Sequence, residues 1–478
     1  MANKKLSKNI FFNTLLTVCQ FIFPLITFPY LARILMPEGL GFVNFLDNII
    51  QYLVFIAGLG IPIYGIREIA RFKDDKEECE RIYNDLLVIN LVSAFAIIAV
   101  YLLAILLFQS KIVNLHLYIL ASLVVVFNVF TIEWLFQGLE EFAYITKRSI
   151  AVKTISVILI ILLVKNQSDL AIYYFIMIGS YVINSLVNIN YARKKFGLKI
   201  NLRIIPIRLK NHYKPILLIF SANVAISIFL YLDSFLLGIL KNTEAVGYYV
   251  TAMKIVKIPV VVIGAFIGAL VPKISHAVKM GEFDLVRGLI KKSFDYVVYL
   301  SVPLVVGIYL SSDFLIYILA GSHYTSSVIP LKIMCPIILS LGLNNIFIWQ
   351  ILTPLSKEKY FVFTVIIGMI ISVLLNFFLI PLLSYKGTAI STLITETIIC
   401  SISYYYARKS FKYELEYLSF FKSVIASIPM IGLFFISKVF ISGFLIQSLV
   451  SIVLSIIVYF LIQLLFFNNN FLKMFKSF

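Results

Sequence analysis

The chain has 478 residues, of which 61% are hydrophobic and 13% charged, against about 45–50% and about 25% in a soluble domain. With a mean hydropathy of +0.99, no soluble core can hide so much apolar surface, and lipid must be the solvent for much of it. Basic residues outnumber acidic ones by 41 to 23, an excess that in this setting points to cytoplasm-facing loops rather than to nucleic acid.

The N-terminal tail carries Lys4, Lys5 and Lys8 and runs into an apolar segment without a small-residue cleavage site. It therefore reads as a first span and not as a cleaved leader. A span needs about 20 apolar residues. The pattern predicts spans near 11–32, 42–64, 86–108, 115–137, 149–164, 170–192, 215–239, 247–271, 293–310, 328–352, 361–383 and 388–407, with two more at 423–441 and 444–467. The expected fold is an all-α polytopic membrane protein of about 14 transmembrane helices, 12 of them in the core. The short apolar stretch Phe314–Ala320 is expected in the outer interface.

Loop charge gives the orientation. The segments 65–82, 193–214 and 272–292 are rich in Lys and Arg, whereas the alternate loops carry about one cation each, such as Arg33, Lys111 and Lys241. This asymmetry places both termini in the cytoplasm. The expected organisation is a six-helix bundle at 1–192, a basic linker at 193–214, a second six-helix bundle at 215–410 and an additional helix pair at 411–478.

The two halves echo each other. Gly41-Phe42 and Gly247-Tyr248 open corresponding helices, and Arg81 and Arg287 hold the same offset. Trp134 and Trp349, the chain's two tryptophans, are each followed by a helix breaker (Gly138 or Pro354) and then a tyrosine (Tyr144 or Tyr360). Six helices per half give both halves one orientation, related by an axis along the membrane normal, with a substrate site expected between them.

Polar residues recur at helical spacing within the spans. Asn13, Thr17, Gln20, Pro24 and Thr27 form one stripe, and Asn44, Asp47, Asn48 and Gln51 form another. Later come Ser227, Tyr231, Asp233 and Ser234, then Tyr248, Thr251, Lys254 and Lys257. Single hydroxyls in such positions commonly join helices, but four stripes together point to a polar cavity. Ionisable residues at membrane depth cost about 2.5–3.5 kcal/mol each on insertion scales and mark functional sites by default. Asp47, Glu133, Asp233 and Glu396 are candidate ion-coupling acids. Lys254 and Lys257, one turn apart, are candidate anion-binding cations, and Lys332 also falls in a span.

Several chemistries lack their residues. There is no GxxxxGK[ST] phosphate loop, so energy is expected from an ion gradient, the membrane potential or downhill substrate flow. The four cysteines include no CxxC and are expected to form no disulfide, and the four histidines lack metal-ligand spacing. No catalytic residue, metal or cofactor is expected. A membrane polysaccharide polymerase would need a large outer loop, and the longest one here, about 311–327, is small.

ARILMPEGLGF at 32–42, GIREIAR at 65–71, EWLFQGLEEFAYI at 133–145, LDSFLLGIL and VGYYVTAMKI within 232–255, and LTPLSKEKY at 352–360 resemble bacterial polysaccharide repeat-unit flippases. These belong to the multidrug/oligosaccharidyl-lipid/polysaccharide exporter superfamily, and the resemblance covers roughly 1–410. It implies two six-helix bundles in a V. It also implies translocation of an undecaprenyl-pyrophosphate-linked oligosaccharide between leaflets of the inner membrane, for O-antigen or capsule, alongside a polysaccharide polymerase and chain-length machinery. A proton or sodium ion would be the coupling ion. The resemblance makes Arg33, Lys254 and Lys257 the cations that meet the pyrophosphate; Asn44, Gln51 and Tyr248 of the polar stripes are further candidate substrate-binding residues. A multidrug or metabolite antiporter of the same superfamily would share the bundles but favours an acidic, aromatic pocket, whereas the paired lysines lean anionic.

Overall fold

The computed structural model describes residues 2–111, 114–201 and 206–465, and these are helical with no strand among them. They fall into two compact units, Met1–Tyr231 and Leu232–Phe478.

The first unit opens with α1 (Ala2–Gly58), roughly 85 Å of helix at 1.5 Å per residue, against about 30 Å of hydrocarbon. It is divided at Met36, where φ is 58° and ψ is 174°. Pro37 explains the position: its ring bars the preceding residue from helical geometry and removes a backbone donor. The spans expected at 11–32 and 42–64 are thus joined by a one-residue break instead of a loop. The second of them ends early, at Gly58. After Leu59 and Gly60, both with positive φ, a separate amphipathic helix α2 (Ile61–Arg71) buries Ile61, Tyr64, Gly65 and Ile69 and leaves Arg67 and Arg71 exposed.

Helix α3 (Lys76–Phe108) is capped by Asp75, whose side chain accepts from the Glu78 backbone N–H at 3.1 Å. The span expected at 115–137 is two helices, α4 (Leu115–Val129) and α5 (Glu133–Gly138), broken at Phe130–Ile132. The break brings α5 onto α2 at a distance that only glycines permit. A Cβ on Gly65 would lie 2.5 Å from the Trp134 ring, and one on Gly138 would lie 2.8 Å from Ile69. Two of the motif segments, GIREIAR and EWLFQG, are therefore the two sides of one contact. Helix α6 (Phe142–Leu163) starts seven residues before the expected 149 and so carries Lys147 and Arg148 as well as Lys153. Helix α7 (Leu170–Phe196) ends at Gly197 in the left-handed region, and α8 (Pro206–Leu240) runs from the first unit into the second.

In the second unit α9 (Thr243–Met280) and α10 (Phe283–Leu310) are long and continuous. The region 311–327, expected as a loop, holds α11 (Ser312–Ala320) and a 3-10 turn at Ser322–Ser327. The span expected at 328–352 is bent by 50° between α12 (Val328–Met334) and α13 (Ile337–Asn345), at Pro336, and continues as a π-helical turn through Leu352. Helices α14 (Glu358–Leu383) and α15 (Tyr385–Ser410) pack closely. The additional pair, α16 (Tyr417–Phe440) and α17 (Phe444–Leu465), packs on α10, where the Tyr459 hydroxyl donates to the Tyr299 carbonyl at 2.8 Å. Residues 466–467 of the last expected span lie outside the described residues.

Nine helices among the described residues are long and apolar enough to cross a membrane, or ten with the bent pair as one span. Counting α1 as two passes and including α6, α8 and α15 completes the fourteen. The hydropathy of α6 is broken by three cations, and that of α15 by a buried face of Thr388, Ser391, Thr392, Thr395 and Ser403. These two helices carry charged or hydroxyl groups into the interior of their units.

Candidate functional site

The second unit contains a carboxylate held by four donors. Asp233, near the end of α8, accepts at Oδ1 from Ser372 Oγ and Asn376 Nδ2, each at 2.7 Å. At Oδ2 it accepts from Thr392 Oγ1 at 2.8 Å and from the Tyr249 hydroxyl at 3.2 Å. The donors come from α9, α14 and α15, so four helices meet on one acid. A carboxylate taken out of water needs such replacement donors. Beside it, Asn376 Oδ1 and Thr388 Oγ1 are buried without a hydrogen-bond partner among the described residues, as are the Ser391 and Thr395 hydroxyls.

Glu396 lies one turn beyond Thr392 on α15, and Lys257 two turns beyond Tyr249 on α9. Lys257 is within electrostatic reach of both Glu396 and Asp233, and Glu396 of Asp233. Lys257 is exposed on its unit, while Lys254 and Glu396 are half-buried. Two sequence-predicted acids and one sequence-predicted lysine thus converge in one unit. Tyr248 is elsewhere. Steps of three residues drift by about 60° around a helix, so the row Tyr248, Thr251, Lys254, Lys257 turns through half a circle. The Tyr248 hydroxyl donates to Glu244 Oε1 at 2.7 Å, and its ring meets those of Tyr324 and Tyr385. Lys332 pairs with Asp313 at 3.4 Å.

The first unit has its own polar cluster. Asp47, half-buried on α1, accepts from the Tyr174 hydroxyl at 3.4 Å. Gln51, one turn on, hydrogen-bonds Tyr181 of α7, and Tyr181 feels the charges of both Asp47 and Glu133. Glu133 pairs with Arg148 of α6. Arg148 escaped the sequence reading because the span was begun at 149. A three-residue shift of that boundary would have placed a cation at membrane depth. Asn44 donates to its own helix, at the Leu40 carbonyl, 2.7 Å. Arg33 is exposed one turn before the break at Met36.

The internal repeat has a structural counterpart inside each unit. Tyr144 of α6 stacks on Tyr191 of α7 with centroids 3.5 Å apart, and Tyr360 of α14 stacks on Tyr406 of α15 at 4.3 Å. The spacing from Tyr191 to Tyr406 also leads from Tyr181 to Glu396, and that from Gly41 to Gly247 leads from Gln51 to Lys257. The neutral hydrogen bond Gln51–Tyr181 in one unit therefore corresponds to the charged couple Lys257–Glu396 in the other. The tryptophans match only in sequence: Trp134 is buried against Gly65, whereas Trp349 is 45% exposed beside Phe361.

Among the described residues no three His, Cys, Asp or Glu side chains gather as a metal site. Helices, intramembrane charges and hydroxyl cages together define a polytopic membrane protein of the fold seen in lipid-translocating and drug-exporting proteins. The solved lipid II flippase MurJ in an inward closed conformation superposes with a TM-score of 0.75 at 15% identity, over 96% of this chain and 99% of that one. An inward-facing multidrug resistance transporter of the MATE family superposes at 0.65 and 14% identity, over 82% and 94%. The chain belongs to the polysaccharide biosynthesis protein family, whose model matches residues 6–278. An Escherichia coli K12 protein described as an O-antigen transporter is 26% identical over 419 residues, 86% of this chain and 99% of that protein.

Proposed function

We propose that the chain is a flippase that moves an undecaprenyl-pyrophosphate-linked oligosaccharide from the cytoplasmic to the outer leaflet of the bacterial inner membrane, by alternating access and without covalent chemistry. The observation that carries this reading is the Asp233–Glu396–Lys257 cluster inside a membrane-spanning unit, in a chain similar to an O-antigen transporter. Sugar hydroxyls cannot cross hydrocarbon unpaired, so a polar path must replace their water while the lipid tail stays in the bilayer. Lys254 and Lys257 supply cations for the pyrophosphate. Asp233 and its oxygen-lined surroundings, with Glu396, Asp47 and Glu133, are the acids that would bind a coupling proton or sodium ion. Two negative charges moving outward gain about 4.6 kcal/mol per 100 mV, from about 2.3 per charge, so the membrane potential alone is a usable drive.

Deleting the gene is expected to leave lipid-linked repeat units on the cytoplasmic face, and the intact chain to restore their export. Asp233→Asn should restore export less than a tenth as well (roughly the effect of 1.4 kcal/mol or more) and abolish its response to a proton or sodium gradient. Full restoration with an unchanged gradient response would make Asp233 structural. Both termini and the exposed residues Arg193 and Lys194 are assigned to the cytoplasm by loop charge. Cysteines placed there should resist an impermeant thiol reagent in intact cells, and one at Lys241 should react. The opposite labelling pattern would reverse the orientation.

A further inference from the structure

Tyr248 belongs to a cluster at the end of the second unit that loop charge assigns to the outer face. Three elements build it. Asn242 caps α9, its side chain accepting from the Ala245 backbone N–H at 2.9 Å. This puts Glu244 in the first turn, exposed, and Tyr248 one turn further, half-buried. Gly321 has φ 90° and ψ −178°, a conformation open to little but glycine, and the 3-10 turn that follows it buries Tyr324 completely. Tyr385 opens α15 half-buried, and the close approach of Gly387 to Leu379 seats that turn on α14.

The three rings converge, with the Tyr248 centroid 5.3 Å from that of Tyr385 and 6.3 Å from that of Tyr324. Their polar ends converge as well. The Tyr248 hydroxyl bonds Glu244 Oε1 at 2.7 Å and also bonds Ser326, and both Tyr324 and Tyr385 are within its electrostatic reach. Ring packing by itself accounts for three tyrosines at these distances. It does not account for the exposed carboxylate that Tyr248 holds at their edge. Nor does it account for the Tyr324 hydroxyl, which is buried without a hydrogen-bond partner among the described residues, a costly state unless an outside group completes it. Aromatic faces edged by phenols, a serine and a carboxylate suit a pyranose. Its C–H face packs on a ring, and its hydroxyls both donate to a carboxylate and exchange hydrogen bonds with phenols. A sugar that itself carries a carboxylate would be repelled by Glu244.

We propose that Glu244, Tyr248, Tyr324, Ser326 and Tyr385 form a binding subsite for an uncharged pyranose of the oligosaccharide. Tyr385 and Tyr248 supply the aromatic faces, and Glu244 accepts from the sugar hydroxyls. The Tyr324 hydroxyl gains its partner when the half-buried Tyr248 side chain shifts to admit the sugar. The subsite rests on the reading that the substrate carries an oligosaccharide. It assigns part of the selection among sugars to Glu244, through charge.

The test is a saturation-transfer NMR titration of the full-length protein in lipid nanodiscs. The probes are the methyl glycosides of glucose, galactose and N-acetylglucosamine, with methyl glucuronide as the charged counterpart of the glucoside. At least one neutral glycoside should bind, and the glucuronide should bind at least about fivefold more weakly than the glucoside, as like charges at close range repel by that factor even in water. Glu244→Gln, a change at an exposed position, should close that gap. Tyr385→Leu should weaken neutral binding at least about tenfold, whereas Tyr405→Leu, at a 58% exposed tyrosine near the other end of α15, should leave it unchanged. Failure of all three neutral glycosides to bind, binding that Tyr385→Leu leaves intact, or a glucuronide gap that survives Glu244→Gln overturns the proposal. Transport of lipid-linked oligosaccharide, measured on the same preparations, separates the two claims. Transport by a protein that binds no glycoside removes this subsite alone. Glycoside binding that responds to Glu244 and Tyr385 without transport keeps the subsite and removes the flippase reading.

Discussion

Changing Lys257 and Glu396 together to glutamine is expected to leave a protein that inserts and accumulates normally but moves substrate at least about a hundredfold more slowly. The lysine is the charge proposed to meet the pyrophosphate, and a hundredfold loss of rate corresponds to about 2.7 kcal/mol of lost stabilisation. The neutral pair should still pack, because the first unit already carries one at the corresponding positions, Gln51 and Tyr181. The single change Lys257→Gln should be worse for abundance than the double change, since it leaves Glu396 beside Asp233 with no cation. That ordering distinguishes a substrate role from a structural ion pair. If the double variant exports polysaccharide at the parental rate, Lys257 does not bind substrate. If it fails to accumulate, the couple is a folding element.

Gly387→Ala should lower the melting temperature of the purified protein sharply and weaken transport with it. A Cβ at Gly387 would lie 2.3 Å from the carbonyl oxygen and 2.6 Å from the carbonyl carbon of Leu379. Those are backbone atoms of α14 and cannot turn aside as a side chain would, so α14 and α15 must separate. Overpacking of this kind costs about 1–3 kcal/mol and sometimes more, and with a backbone obstacle the upper end is expected. The same two helices bring Ser372, Asn376 and Thr392 to Asp233, so a shift between them loosens the carboxylate cage. Gly432→Ala is the matched control. It lies within α16 with nothing within 4 Å of the added carbon, and a helical Gly→Ala change there should be neutral or stabilising by about 0.4–1 kcal/mol. Equal melting temperatures for the two variants would show that α14 and α15 are not held at this distance.

How far each feature could be read from sequence depended on the range of the interaction behind it. The helical class and the count of spans follow from local hydropathy, because every backbone group in lipid must be satisfied within its own segment. Asp47, Glu133, Asp233, Lys257 and Glu396 stood out for the same local reason, as charges in apolar runs. Helix ends were less legible. Arg148 and Lys147 looked like loop residues because a charged first turn and a loop have the same composition, and only packing of α6 against α1 and α7 makes that turn part of a spanning helix. Breaks at Met36 and Pro336 could be traced to proline, but the break at Phe130–Ile132 has no proline, and it is there to lay α5 against α2.

The grouping of the polar residues was decided by tertiary structure alone. The Ser372, Asn376, Thr392 and Tyr249 donors read individually as ordinary helix-joining groups, and their convergence on Asp233 depends on the packing of four helices that no periodicity encodes. Tyr248 shows the reverse: its spacing placed it with the lysines, and helical drift turned it away from them. Local composition in a membrane protein thus determines which segments cross and which charges are expensive. Which of those charges meet, and through which hydroxyls, is a long-range matter of helix packing, because a side chain's partner lies on another helix and the sequence distance between them carries no geometry.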